Sequence, residues 1–231
     1  MIAIRHARRQ DGFTMVEMLI TLIIMGIVTT MVLTIWFALQ HSYAFSINSD
    51  NSRSIARDSI ARMEREIRDA AAQPDTLRPG VDSGYPYVDA AINLAAPSQI
   101  DFTTPFNDPS LVVEDVAYKY VANAGGKDGT LYRYRATNQT CIDPTTDPTA
   151  VQSILASNVV NYTAGNNIPI FTYTSYAAGG TYTTSNTVTG TANLQNILSV
   201  QIHLLVDTNP GHSPVYMDLL STVEPRNMRH N

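Results

Sequence analysis

The chain has 231 residues, of which 44% are hydrophobic and 15% charged, with a formal charge of −5. A charged fraction below the usual quarter or so, with Thr, Tyr, Asn, Ser and Ala filling the rest, suits a β-rich body with long loops. The few scattered basic residues beyond residue 70 exclude a nucleic-acid surface, and the single cysteine, Cys141, excludes an internal disulfide.

Residues 1–12 are polar and basic, with Arg5, Arg8 and Arg9. From residue 13 to residue 39 the only charge is Glu17, and no proline interrupts the run. About 20 apolar residues suffice to cross a bilayer as a helix, so residues 13–39 are predicted to span a membrane. A buried core helix would be shorter and striped. The next basic residue downstream is Arg53, so the positive-inside rule puts residues 1–12 in the cytoplasm and the bulk of the chain outside. The stretch after Leu39, QHSYAFSI, is a poor site for an ordinary signal peptidase, and the run is expected to stay as an anchor.

Glu17 needs an explanation. An ionised carboxylate deep in a membrane helix costs on the order of 3 kcal/mol. It either escapes to the cytoplasmic interface or meets a cation. The helix has no Lys or Arg within the apolar run, so such a cation must come from another chain or from a new amino terminus.

Gly12, Phe13, Thr14, Met15, Val16 and Glu17, followed by an unbroken apolar helix, resemble the signal of type IV prepilins; only Met15 departs, standing where the family has leucine. The resemblance implies that a prepilin peptidase on the cytoplasmic face cuts between Gly12 and Phe13 and methylates the new amino group of Phe13. It implies that Glu17 pairs with the terminal amine of a neighbouring subunit during assembly. Glu17→Ala is then expected to be cut and inserted but to enter filaments poorly. The implied partners are the peptidase, other pilin or pseudopilin subunits, an inner-membrane assembly platform and membrane lipid. The implied location is the cytoplasmic (inner) membrane, in a single pass with a cytoplasmic amino terminus, and then a pilus or pseudopilus. Removing residues 1–12 takes away Arg5, Arg8, Arg9 and Asp11, leaving 12 basic and 19 acidic residues and a formal charge of −7.

Residues 40–73 are predicted to continue the helix as an amphipathic half that stops at Gln73 and Pro74. Ala56, Ile60, Met63, Ile67 and Ala70 or Ala71 make one stripe, expected on a sheet. Asp58 with Arg62, Arg62 with Glu66, Glu64 with Arg68 and Arg65 with Asp69 are spaced as charge pairs on a solvated face. A continuous helix over residues 13–73 would be about 90 Å long at 1.5 Å per residue. Gly26 matches a glycine common in the prepilin family, where the helix loosens in a filament.

Residues 74–231 are predicted to form a β-rich head, giving an α+β, pilin-like fold with an antiparallel sheet. The stretch to about Pro97 is rich in turns. Strands are predicted at 98–103, 112–122, 129–136, 168–176, 197–206 and 215–223, with a further segment leading from 153 to 163. The sequence NAGGKDG between the second and third lacks the spacing of a phosphate loop and predicts a hairpin turn. Residues 177–193 are expected to be an extended hairpin or a loop. The stripe, the hairpin and the ILSVQIHLLVD strand resemble J-type minor pseudopilins of type II secretion and W-type minor pilins. DPTTDP and DTNPGH hold calcium-type oxygens, although acidic turns explain both. His6, His41, His203, His212 and His230 lack metal spacing, and no nucleophile elbow occurs. No cofactor, metal or catalytic residue is therefore assigned. The alternative is a single-pass, membrane-anchored extracytoplasmic receptor or enzyme, whose mark would be a convergent polar pocket on the head.

Overall fold

In the computed structural model the described residues are 13–70, 91–104, 114–136, 144–163, 167–176, 180–210 and 215–225. Helix α1 runs over Met15–Arg68. Its first part is apolar on all sides and wholly exposed, and among the described residues it is the one helix long and apolar enough to cross a membrane. Hydroxyls inside this part are satisfied along the helix itself. Thr21, Thr29, Thr30 and Thr34 donate to the carbonyls of Met18, Met25, Gly26 and Thr30 at 2.7–2.9 Å, as polar groups in lipid must.

The chain divides into two compact units, residues 1–47 and 48–231. In the second unit the rest of α1 changes character. Ala56, Ile60, Met63, Ile67 and Ala70 are buried in one hydrophobic cluster with the sheet, as the stripe predicts; Ala71 lies outside the described residues. Fully burying a side chain the size of Ile or Met stabilises by about 1.5–3 kcal/mol, so this stripe docks the helix. The Ser59 hydroxyl adds a donor to the Leu155 carbonyl at 2.6 Å. The helix ends at Arg68, short of the stop expected at Gln73, which lies outside the described residues. The amide of Ala70 closes a tighter bond on Ile67 (3.1 Å), and Arg65 and Arg68 in the last turn suit the negative end of the dipole.

Among the described residues one antiparallel sheet holds nine strands: β1 Ile92–Ala95, β2 Gln99–Thr104, β3 Glu114–Ala122, β4 Gly129–Ala136, β5 Val151–Val159, β6 Phe171–Tyr176, β7 Tyr182–Ser185, β8 Ile197–Asp207 and β9 Tyr216–Val223. A short helix, α2, spans Thr191–Leu194. The order is β1-β2-β3-β4-β5-β8-β6-β7, with β9 paired to β8. The fold is thus α+β and pilin-like: one long amino-terminal helix and a curled antiparallel sheet.

Most predicted strands lie within a residue or two of their sequence signals. The hairpin of β3 and β4 turns through Gly125 and Gly126, both at positive φ (124° and 64°), which glycine adopts freely. Asn123 closes the turn by donating from its backbone to Asp128 O (3.0 Å) and from its side chain to Asp128 Oδ1 (3.1 Å). The 177–193 excursion contains β7, a hairpin partner of β6. Strand β1 falls in the turn-rich stretch where no strand was expected. Strands β5 and β8 meet at one register pair, Val159 with Val206. Beyond it the Asn161 side chain takes over the ladder, donating to His203 O (2.8 Å) and accepting from Leu205 N–H (2.9 Å).

Candidate processing and assembly site

Thr14 precedes the first turn of α1, and its carbonyl accepts the Met18 N–H (3.2 Å). The Glu17 N–H donates to Thr14 Oγ1 at 3.3 Å, while the Thr14 N–H and hydroxyl both donate to Glu17 Oε2 at 3.2 Å. This reciprocal arrangement is a capping box, which satisfies amides that the helix start would leave unpaired. As a lone acid in an apolar run, Glu17 is expected either at the cytoplasmic interface or beside a cation; its capping role is a third one. The sequence signal for it is Thr-x-x-Glu directly before an apolar run. Glu17 also lies at the positive end of the helix dipole, which favours its charge.

Phe13 is outside the helix and 80% exposed. Gly12 lies outside the described residues, as do Cys141, His6, His212 and His230. Gly26 lies mid-helix with room around it: a Cβ added there meets nothing within 4 Å. The helix runs straight through it without a break.

A second carboxylate on the same helix has a different setting. Glu66 is fully buried, and its Oε2 accepts from Arg133 Nε (2.9 Å) and from the Tyr118 hydroxyl, while Oε1 accepts from Arg62 Nε (3.0 Å). Tyr118 and Arg133 are register partners on β3 and β4, so the sheet presents both groups to the helix together. Burial alone would raise the Glu66 pKa; the hydrogen bonds from Arg133 and Tyr118 and the Arg133 charge outweigh it and hold the carboxyl below the usual carboxylate range. Burial, helped by the Glu66 charge, pushes the Tyr118 phenol well above its ordinary range. The solvated charge face expected for this helix is therefore wrong at Glu66. The pair with Arg62 forms, but on the inner side. Glu64 accepts from the Ser221 hydroxyl on β9.

Two aspartates of the acidic turns bond within their own loops. Asp147 Oδ1 accepts from the backbone and hydroxyl of Thr149 (2.8 and 2.7 Å). Asp207 Oδ1 accepts from the backbones of Asn209 (2.9 Å) and Val215 (3.2 Å). Both carboxylates cap turns. His203 pairs with Asp218 at 2.7 Å across β8 and β9.

Residues 7–33 match the family model of the prokaryotic N-terminal methylation motif. The match supports a type IV prepilin-like precursor. It implies processing by prepilin peptidase and assembly with other pilin subunits, and with the exposed apolar helix it fits a single-pass membrane anchor. The match ends before the head begins, and no curated protein matches the chain.

Proposed function

We propose that this chain is a minor pilin or pseudopilin subunit that performs no catalysis itself. Prepilin peptidase cuts it between Gly12 and Phe13 and methylates the Phe13 amine. The trimmed subunit then enters a type IV pilus or type II secretion pseudopilus through α1, near the tip, with Glu17 facing the terminal amine of a neighbouring subunit. The hydrophobic pattern of the head supports the J-type or W-type assignment within that class. The proposed partners are sister subunits, the inner-membrane assembly platform and lipid. The topology is a cytoplasmic amino terminus with an extracytoplasmic head.

The observation that carries this reading is the methylation motif at residues 7–33 joined to a helix whose apolar half is exposed on every side. Such a surface needs lipid or other helices around it. An unpaired charge there is costly, and a pair made across subunits relieves both charges. Mass spectrometry of the amino terminus of protein extracted from native membranes tests the reading. The expected chain begins at N-methyl-Phe13. A chain still carrying residues 1–12, from cells that have the peptidase, would overturn it.

A further inference from the structure

The box formed by Thr14 and Glu17 fixes where α1 begins. For the helix to grow one turn toward the amino terminus, the Thr14 N–H would have to turn from Glu17 to the carbonyl of residue 10. Thr14 would also have to adopt helical dihedrals, which separate its hydroxyl from the Glu17 amide. All three bonds of the box oppose that growth. Phe13 accordingly stands outside the helix. The bond that the proposed peptidase cuts is the one that joins Gly12 to Phe13, immediately upstream of the cap. Hydrolysis breaks the Gly12 C to Phe13 N bond; water supplies the second oxygen of the Gly12 carboxylate and a proton for the Phe13 amine. A bond inside a helix is a poor substrate for this step, because its carbonyl is engaged four residues on and one face is covered by the next turn.

From this geometry we propose that Thr14 is a positioning residue for processing: together with Glu17 it holds the helix start downstream of Phe13 and keeps the cleavage bond available to the peptidase. The proposal rests on the prepilin reading. It gives Glu17 two separable duties. The cap needs an oxygen acceptor at the third helical position, which glutamine also supplies. The contact with a neighbouring amine needs the negative charge. Gly12 is itself a poor helix residue, so the box is a second stop, and its loss slows cutting without abolishing it.

The test is a pulse-chase of the full-length chain in cells holding its peptidase, reading the rate of conversion to the chain that begins at Phe13. Membrane recovery is measured for every variant. Thr14→Ala is expected to slow conversion measurably, by no more than about fivefold, the limit set by a lost cap of about 1 kcal/mol. Thr14→Ser, which rebuilds the cap, is expected to match the wild type. Glu17→Gln is expected to be cut at close to the wild-type rate yet to enter filaments poorly, whereas Glu17→Ala is cut slowly and also enters poorly. The Thr14→Ala/Glu17→Ala pair is expected to be no slower than either single variant, because one box is lost once. Wild-type cutting of Thr14→Ala would overturn the proposal. So would Thr14→Ser as slow as Thr14→Ala, or Glu17→Gln as slow as Glu17→Ala, since the peptidase would then be reading the side chains themselves. A wild-type chain that is not cut at Phe13 at all overturns the prepilin reading and the proposal with it.

Discussion

Two of the carboxylates on helix α1, Glu17 and Glu66, sit in opposite circumstances. Glu17 sits in the first turn of an exposed apolar surface and, among the described residues, holds only Thr14. Glu66 sits in the last turns, sealed from water, with two guanidinium groups and a phenol already on it. Glu66 has its cations within its own chain, and among the described residues Glu17 has none. A buried acid with a full set of donors is part of a finished core. An acid on an exposed apolar helix whose described bonds are one local cap is, under the proposed function, a group that meets its cation on another subunit. On the proposed function, the difference separates residues that hold this subunit together from residues that join it to others.

The largest expected effect lies at Glu66. Glu66→Ala leaves the Arg133 side chain, only 5% exposed, as a buried charge without its acid, a loss of about 3–5 kcal/mol. The measurement is denaturant unfolding of the detergent-extracted chain, followed by the tyrosines of the head. The replacement of Glu66, Tyr118 and Arg133 together by Leu, Phe and Met is expected to recover most of that loss, because an apolar trio removes the stranded charge along with its partner. If Glu66→Ala unfolds at the wild-type midpoint, the cluster is not what closes the head.

Tyr118→Phe comes next. It removes one charge-assisted donor and leaves the ring packed against Phe102, with centroids 5.8 Å apart. The expected loss is about 1.5–3 kcal/mol. The pH dependence tests the same acid from another side. The folded state holds the Glu66 carboxyl below its usual range, so the unfolded chain binds that proton more readily. The resulting stability is complete above the unfolded value of about 4.3 and is lost as pH falls through the folded value. Wild type and Glu66→Gln should therefore differ most near neutrality and converge in acid. A gap that stays constant down to acid would mean that Glu66 does not titrate with folding.

The two carboxylates were not equally legible. Glu17 stood out because a lone charge in an apolar run is conspicuous, and with Gly12 and Phe13 it forms a pattern of types and spacing. Its capping role was written in the same residues, but the membrane context drew attention to the charge instead. Glu66 looked ordinary because a four-residue spacing to Arg62 is the usual mark of a solvated face. Two signals argued otherwise. Glu66 lies three residues after Met63 and four before Ala70, both on the stripe, so it borders the inner side. In GTLYRYRA, Arg133 shares the strand face of Leu131, which is fully buried. An arginine on the core face of a strand demands a buried acid. The strands were readable where alternation is sustained, as in β3 and β4. Strand β1 was not, because its four residues are too short for a period to show against the turn residues around them. The replacement of a β ladder by the Asn161 side chain has no sequence signature, since it depends on where β8 passes.

The smallest effect on unfolding is expected at Glu17, and that contrast completes the comparison. Glu17→Ala removes a cap from the first turn alone. Such a loss is worth about 1 kcal/mol, confined to where the helix starts, while the described bonds and apolar contacts that dock α1 on the head lie at residue 56 and beyond. The unfolding midpoint should stay within about 0.5 kcal/mol of wild type, the usual range for exposed sites, and membrane recovery should be unchanged. The loss should instead appear in the fraction of subunits that reach filaments, where the proposed function has the acid meet its cation. A Glu17→Ala chain that unfolds as easily as Glu66→Ala would break the division between the two acids. A chain that assembles as well as wild type would show that the first turn needs the carboxylate for capping and nothing more.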